Sequence, residues 1–217
     1  FGAQSERIVS RLPTQLEIDD AMARMGAEYL VINESNLEVV KTKDIQIDLS
    51  GVAKGYAVDE VAVALEDFNI DSYFIEVGGE IKLKGFKPSN EEWLPAIEAP
   101  AAGTYEIYEV LSSRGEAFSL AGSGDYRNYF EIDGARYSHE IDPRTGRPVT
   151  HDLAAAFVIT ESAAEADALA TAFMILGLKE SKSVIDRHNI SAFLISRVNE
   201  NHFEHFVTST FAQYVLK

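Results

Sequence analysis

The 217-residue sequence has no cysteine, one Trp and three Met. Without a thiol it carries no disulfide framework, no thiolate zinc site and no cysteine nucleophile. Positive charge is scarce as well, with 19 Lys and Arg against 35 Asp and Glu and a formal net charge of −16. Nucleic-acid binders neutralise phosphates with clustered Lys and Arg, so this balance argues against that class. It still admits an anionic small molecule whose charge is met by a metal ion or by a few placed cations. No apolar run approaches the roughly 20 residues that a membrane span requires. The sequence begins at Phe1 rather than Met and does not open on a charged stretch leading into an apolar one, the pattern of a signal peptide. What is present is 46% hydrophobic residues over a length that suits one large domain or two small ones.

Local pattern predicts a series of short strands and helices that mix without strict alternation. Gln15–Leu30 reads as an amphipathic helix with acidic early turns. Strand-type runs follow at Tyr29–Ile32, Leu37–Val40 and Ile45–Leu49. A glycine-rich loop then enters an apolar helix that ends near Phe68. Ser72–Val77 and Glu80–Leu83 read as strands joined by Gly78-Gly79. Pro88, Pro95 and Pro100 mark a loop around a short strand at Trp93–Glu98. Between 105 and 141 several short strands are expected, with a turn at Asp133-Gly134. Leu153–Thr160 reads as a buried strand. Ser162 to Glu165 forms a capping box that opens a helix ending at Gly177, followed by a second helix at Lys179–His188. A strand at Ser191–Ser196 and an alternating tail from His202 complete the series. Together these predict a single α+β domain over 1–217 with a mixed β-sheet.

Three constellations could carry chemistry. In Ile47-Asp48-Leu49-Ser50-Gly51-Val52-Ala53-Lys54-Gly55-Tyr56, two glycines relax the chain before a helix whose N–H groups and Lys54 could hold phosphate oxygens. The same residues also fit an ordinary turn with a solvated lysine, and the spacing is not that of a P-loop. In Ala166-Asp167-Ala168-Leu169-Ala170-Thr171, Asp167 and Thr171 share one helix face. Set among Ala, Leu, Phe and Met, a buried Asp167 needs a partner, and a hard cation such as Mg²⁺ would be one. Otherwise Asp167 lies on a solvent stripe and Thr171 bonds back to its own helix. The third is Tyr137-Ser138-His139-Glu140-Ile141-Asp142-Pro143-Arg144-Thr145-Gly146-Arg147-Pro148. There, His139 is either an acid–base group beside two cations or a structural residue next to a rigid turn. Gly78-Gly79-Glu80 and Gly122-Ser123-Gly124-Asp125 are lesser signals that allow close backbone approach.

In this order, IDLSGVAKGYAVD, FIEVGGEIKLKG, GSGDYRNYFEIDGARYSHEIDPRTGRPV and ESAAEADALATAFMILG resemble the ApbE family, the FAD:protein FMN transferases. The resemblance covers nearly the whole chain. It implies Mg²⁺-dependent transfer of FMN from FAD to a Thr or Ser hydroxyl of an acceptor flavoprotein, with release of AMP. The alternatives are an FAD pyrophosphatase that yields FMN and AMP, or a flavin-binding protein without turnover. By motif position, Asp167, Thr171 and the Gly51 carbonyl would hold the metal. Asp48, Lys54 and Ile141 would contact FAD, Gly78, Gly79 and Glu80 would line the same cleft, and His139 would be the base. The resemblance also implies that an N-terminal portion of the family fold precedes Phe1 and supplies part of the flavin pocket. A lipid-anchored location on the periplasmic side of the inner membrane is expected, with a cytoplasmic one as the alternative. Two departures stand out. Gly122 replaces a usual Thr or Ser, and Ala96 replaces a usual Gly.

Overall fold

The computed structural model describes residues 11–100, 106–125, 129–132, 135–199 and 202–216. In chain order the first elements are α1 (Gln15–Met22), β1 (Leu30–Asn33), β2 (Glu38–Lys41), α2 (Ala53–Asp67), β3 (Tyr73–Val77) and β4 (Glu80–Lys84). There follow β5 (Ala96–Glu98), β6 (Ile107–Val110), β7 (Phe118–Gly124), β8 (Tyr129–Ile132), β9 (Ala135–Ser138), β10 (Ile141–Asp142) and β11 (Arg147–Pro148). The last are β12 (Leu153–Thr160), α3 (Ala163–His188), β13 (Ser191–Asn199), β14 (His202–Val207) and α4 (Ser209–Ala212). Two compact units organise them, one from Phe1–Leu49 with Tyr129–Thr150 and the other from Ser50–Asn128 with His151–Lys217.

The second unit is built on a six-stranded sheet in the order β14-β13-β12-β7-β4-β3. The α+β class stands, but all five ladders of this sheet are antiparallel, where a mixed sheet was expected. The reason lies in α3. Ile159 at the end of β12 is the Cα partner of Ser191 at the start of β13, so the connection returns to the sheet end it left. A straight helix of 26 residues would end about 39 Å away. Gly177 breaks α3 with φ 74 and ψ 171, reversing the path, and the Ser181 hydroxyl donates to the Phe173 carbonyl across the break at 3.1 Å. A side chain at 177 would also come within 2.7 Å of the His151 ring. The sequence pattern places this break correctly.

Period-two alternation sends the strand side chains into two cores. Ala156, Val158, Ala192 and Leu194 pack with Ala166, Ala170, Phe173 and Met174 of α3. Ala155, Ile159, Phe193 and Ile195 face the other way, against Leu83, Ile97, Leu111 and Phe211. A strand buried on both faces reads as a continuous apolar run, and β12 has the bounds expected from the sequence. Gly122 is the cross-strand partner of Phe157, and a Cβ there would approach the ring to 2.6 Å. A side chain at 122 would therefore require the Phe157 ring to move.

In the first unit, β1 and β2 form one hairpin, β8 and β9 a second, and β10 and β11 a third. The Asp133-Gly134 turn lies outside the described residues. Helix α1 ends at Met22 rather than Leu30. It has a complete capping box at Thr14 and Glu17 but buries only Ile18, and short helices depend on such packing to extend. The expected strand Ile45–Leu49 is absent from the ladders of the described residues. Ile45 is buried, but Ile47 and Leu49 are exposed, so their alternation has no sheet to join. The Asp142–Gly146 stretch is a tight turn in which the Gly146 N–H donates to the Asp142 carbonyl at 2.8 Å. No described helix is long and apolar enough to cross a membrane.

Candidate functional site

The second unit gathers most of the chemistry, and it does so through two helix starts. Val52, at the start of α2, provides no side-chain cap, so the first-turn N–H groups need partners from elsewhere. Asp167 is that partner for Gly55, accepting its N–H on Oδ2 at 3.0 Å. A carboxylate is favourable at this end of the helix dipole. The relation is reciprocal. Asp59 of α2 accepts the N–H groups of Ala163 and Ala164 at 3.0 Å each and the Ser162 hydroxyl at 2.8 Å, capping α3. The Ser162 hydroxyl accepts the Glu165 N–H, which is one half of the expected capping box, and Asp59 caps the N–H groups of Ala163 and Ala164.

Asp59 positions the start of α3, and the sequence reading did not single it out. Its local signal is weak: it is one of two adjacent acidic residues, Asp59-Glu60, inside the apolar run of α2. Lys82 donates to it at 2.6 Å. Burial alone would raise the Asp59 carboxyl, but hydrogen bonds from Lys82, Ala164, Ala163 and Ser162 outweigh that and hold it below the ordinary value.

This double cap requires the helices to cross closely, and Gly55 is the crossing point. A methyl group there would overlap the Ala163 carbonyl and lie 2.7 Å from the Ala164 Cα, both backbone atoms. Gly55→Ala should therefore destabilise the protein by about 1–3 kcal/mol, the usual range for overpacking, as read by thermal denaturation. An unchanged melting temperature would show that α2 and α3 can separate freely.

Asp167 is only 1% exposed, which removes the solvent-stripe reading. Its Oδ1 accepts from the Lys54 ammonium at 3.1 Å, and the same ammonium lies 3.2 Å from Oε1 of Glu80. Glu80 opens β4 directly after the Gly78-Gly79 turn. Both glycines have positive φ, 62 and 104, as a two-residue hairpin turn requires. A side chain at Gly78 would press on the Lys54 stem, 3.1 Å from its Cδ. Thr171, one turn beyond Asp167, shares a hydrogen bond with Ser123 of β7 at 3.1 Å. A Cβ on Gly51 would lie 3.7 Å from the Thr171 hydroxyl, so the Gly51 backbone runs beside that residue. Ser123 is the second residue that the sequence reading left among lesser signals.

Electrostatics follow from burial. Burial pushes the Glu80 carboxyl up to about 7, with Asp167 adding to the rise and Lys54 opposing it. For Lys54, burial works to lower the ammonium, but Glu80 and Asp167 prevail and hold it above the ordinary lysine value. The folded protein thus keeps a proton on Glu80 that the unfolded chain gives up from the ordinary carboxyl value of 4.5 upward. Stability from this group is full below that value and is lost as pH rises through about 7, a swing on the order of 3 kcal/mol. Urea titrations between pH 5 and 8 should show this decline, and Glu80→Gln should remove it. Parallel pH profiles for the two proteins would contradict it.

The groups near Asp167 that could ligate a cation are oxygens: its own carboxylate and the Thr171 hydroxyl one turn on, with the Gly51 backbone running beside Thr171. That chemistry fits a hard cation such as Mg²⁺, which prefers oxygen ligands and keeps water or phosphate in its remaining positions. Among the described residues no group of three His, Cys, Asp or Glu could hold a metal by itself. A cation here would therefore rely on the hydroxyl and the carbonyl as well as on Asp167.

The remaining expected site residues belong to the first unit. Asp48 is exposed in the irregular stretch after Ile45. His139 is half-buried between β9 and β10, and Ile141 pairs with Pro148 in β10. The two arginines expected as anion-binding cations have partners within this unit. Arg144 Nε is ion-paired with Asp142 at 2.9 Å, and Arg147 donates to the Gln15 side chain at 2.6 Å.

Comparison with known proteins supports the motif reading. The model of the ApbE family matches residues 1–194. The FAD:protein FMN transferase of Vibrio cholerae serotype O1 is 37% identical over 217 residues, covering 100% of this chain and 63% of that protein. Its counterpart from Escherichia coli K12 is 34% identical over 219 residues, with 100% and 61% covered. The apo structure of the flavinyl transferase ApbE from Pseudomonas stutzeri superposes with a TM-score of 0.81 at 37% identity, over 94% of this chain and 62% of that one. The chain spans about three fifths of the length of the curated relatives it matches. By family match, full-chain identity and shared fold, it belongs to the ApbE family.

Proposed function

We propose that this chain carries the metal-binding and part of the substrate-binding machinery of an FAD:protein FMN transferase, which moves FMN from FAD to a Thr or Ser hydroxyl of an acceptor flavoprotein and releases AMP. The observation that carries the reading is the cluster of two buried carboxylates, Asp167 and Glu80, on the half-exposed Lys54 ammonium beside Thr171, in a chain of the ApbE family. A pyrophosphate resists attack until its charge is neutralised. Asp167, Thr171 and the Gly51 carbonyl would hold Mg²⁺, which supplies that neutralisation when bound.

The chain's own residues do the rest of the work. Lys54, kept charged by its two carboxylates, offers an ammonium to phosphate oxygens at the start of α2, where the helix dipole favours anions. The Gly78-Gly79 turn has no side chains, so its backbone can approach a flat ring closely. His139 is assigned the proton of the attacking hydroxyl, a task suited to imidazole near neutral pH. Asp48 and Ile141 are assigned to the flavin side.

The test is incubation of the protein with FAD, MgCl₂ and an acceptor flavoprotein domain, read by mass spectrometry and by AMP release. A covalent FMN adduct with stoichiometric AMP supports transfer. AMP with free FMN and no adduct identifies hydrolysis instead. No AMP under any metal condition sinks both enzymatic readings.

A further inference from the structure

Lys54 has two acidic partners where one would satisfy an ion pair. Its ammonium is 3.1 Å from Asp167 Oδ1 and 3.2 Å from Glu80 Oε1. The other Asp167 oxygen is bound by the Gly55 N–H, part of the rigid start of α2. Asp167 is thus anchored through Oδ2, while the atom in contact with the ammonium is the one free to exchange partners. Glu80 is different. It is 1% exposed, and its Oε2 has no hydrogen-bond partner. It therefore has spare acceptor capacity next to a lysine that carries three donors. The absence of a side chain at Gly78, beside the Lys54 stem, leaves that stem room to shift.

We propose that the Lys54 ammonium competes with a divalent cation for Asp167, and that Glu80 is the positioning residue that keeps the ammonium in the site once the cation has taken its place. This rests on the reading of Asp167 as a cation ligand. The charge count gives the exchange a purpose. With both carboxylates ionised, two negative groups and one ammonium sum to −1, which repels a pyrophosphate. A divalent cation on Asp167 brings the cluster to +1, and Glu80 prevents the displaced ammonium from leaving. A chain with a formal charge of −16 must create its anion site locally, and this cluster does so only when loaded.

The experiment is Mn²⁺ binding to the full chain without FAD, by calorimetry at pH 8, for the parent, Lys54→Met, Glu80→Gln and the double variant. Thermal melts of all four establish that they are folded, and Lys54→Gln serves in place of Lys54→Met if that variant is not. Removing the competitor should tighten Mn²⁺ binding about tenfold, including the case where only Lys54→Met binds measurably. In the parent, Glu80→Gln should weaken binding roughly tenfold, because one carboxylate is lost and Lys54 falls back onto Asp167. In the Lys54→Met background the same change should cost no more than about threefold, since only the charge is lost. Equal effects of Glu80→Gln in both backgrounds overturn the exchange and leave the cation reading standing. Weaker binding by Lys54→Met also overturns it. No Mn²⁺ binding by any of the four overturns the inference and the cation reading together.

Discussion

Replacing Asp167 by asparagine should give a folded protein that has lost Mg²⁺-dependent turnover of FAD by about a thousandfold. In its proposed role as cation ligand, Asp167 would support several kcal/mol of charge stabilisation, and each 1.4 kcal/mol is a factor of about ten. Asparagine keeps an oxygen for the Gly55 N–H but no negative charge for a cation or for Lys54. Alanine removes that oxygen as well. Asp167→Ala should therefore lose a further 1–3 kcal/mol of stability, roughly the cost of a buried donor left unmet, while asparagine should stay close to the parent. The two variants separate the ligand role from the capping role. Activity measured as AMP release and stability measured by urea denaturation should diverge for asparagine and fall together for alanine. An asparagine variant that turns over at the parent rate would remove Asp167 from the metal site.

The largest stability effect is expected at Asp59. Its two oxygens accept from the Ser162 hydroxyl, the Ala163 and Ala164 N–H groups and the Lys82 ammonium. Truncation to alanine leaves two first-turn N–H groups of α3 without their acceptor and removes the carboxylate partner of Lys82, which keeps only the Glu161 carbonyl at 2.8 Å. Breaking a buried ion pair costs about 3–5 kcal/mol, to which a lost helix cap adds. Asp59→Ala should therefore lower the urea midpoint more than any other single substitution in α2. Asp59→Asn should be intermediate, because its amide nitrogen faces donors and cannot accept from them. A loss below about 1 kcal/mol for alanine would show that water caps α3 equally well. Since Asp59 holds the start of α3, and Asp167 follows one turn later, the same variant should also weaken Mn²⁺ binding.

The parts of the fold that were legible in the sequence are those decided within a few residues. Leu153–Thr160 announces itself as an unbroken apolar run, and Gly78-Gly79 announces a two-residue turn between alternating strands. Gly177 marks the end of one helix because no other residue adopts its backbone angles without strain. The failures were equally physical. The alternation of Ile45, Ile47 and Leu49 predicted a strand, but alternation is necessary for a strand and not sufficient without an edge to pair with. The acidic amphipathic pattern of Gln15–Leu30 continued past Met22, where no packing surface supports further turns. Asp167 could be placed on a helix face, yet helical period cannot say whether that face meets water or protein.

By itself, the sequence determined most of the segments, the family motifs and the identity of the oxygen and nitrogen groups to which the proposed function assigns an anionic substrate. It also determined that those groups would be few, because the chain has little positive charge to spend. The tertiary structure alone decided how they act on one another. Asp59 meets its partners across 103 to 105 residues of chain at α3, and Asp167 meets Gly55 and Lys54 across 112 and 113. Such pairings leave no periodic trace, because they depend on two helix starts being brought within hydrogen-bond distance. The burial that drives Glu80 toward neutral pH, and the pairing of Lys54 with two carboxylates that outweighs the same burial, exist only when the sheet and both helices have closed around them.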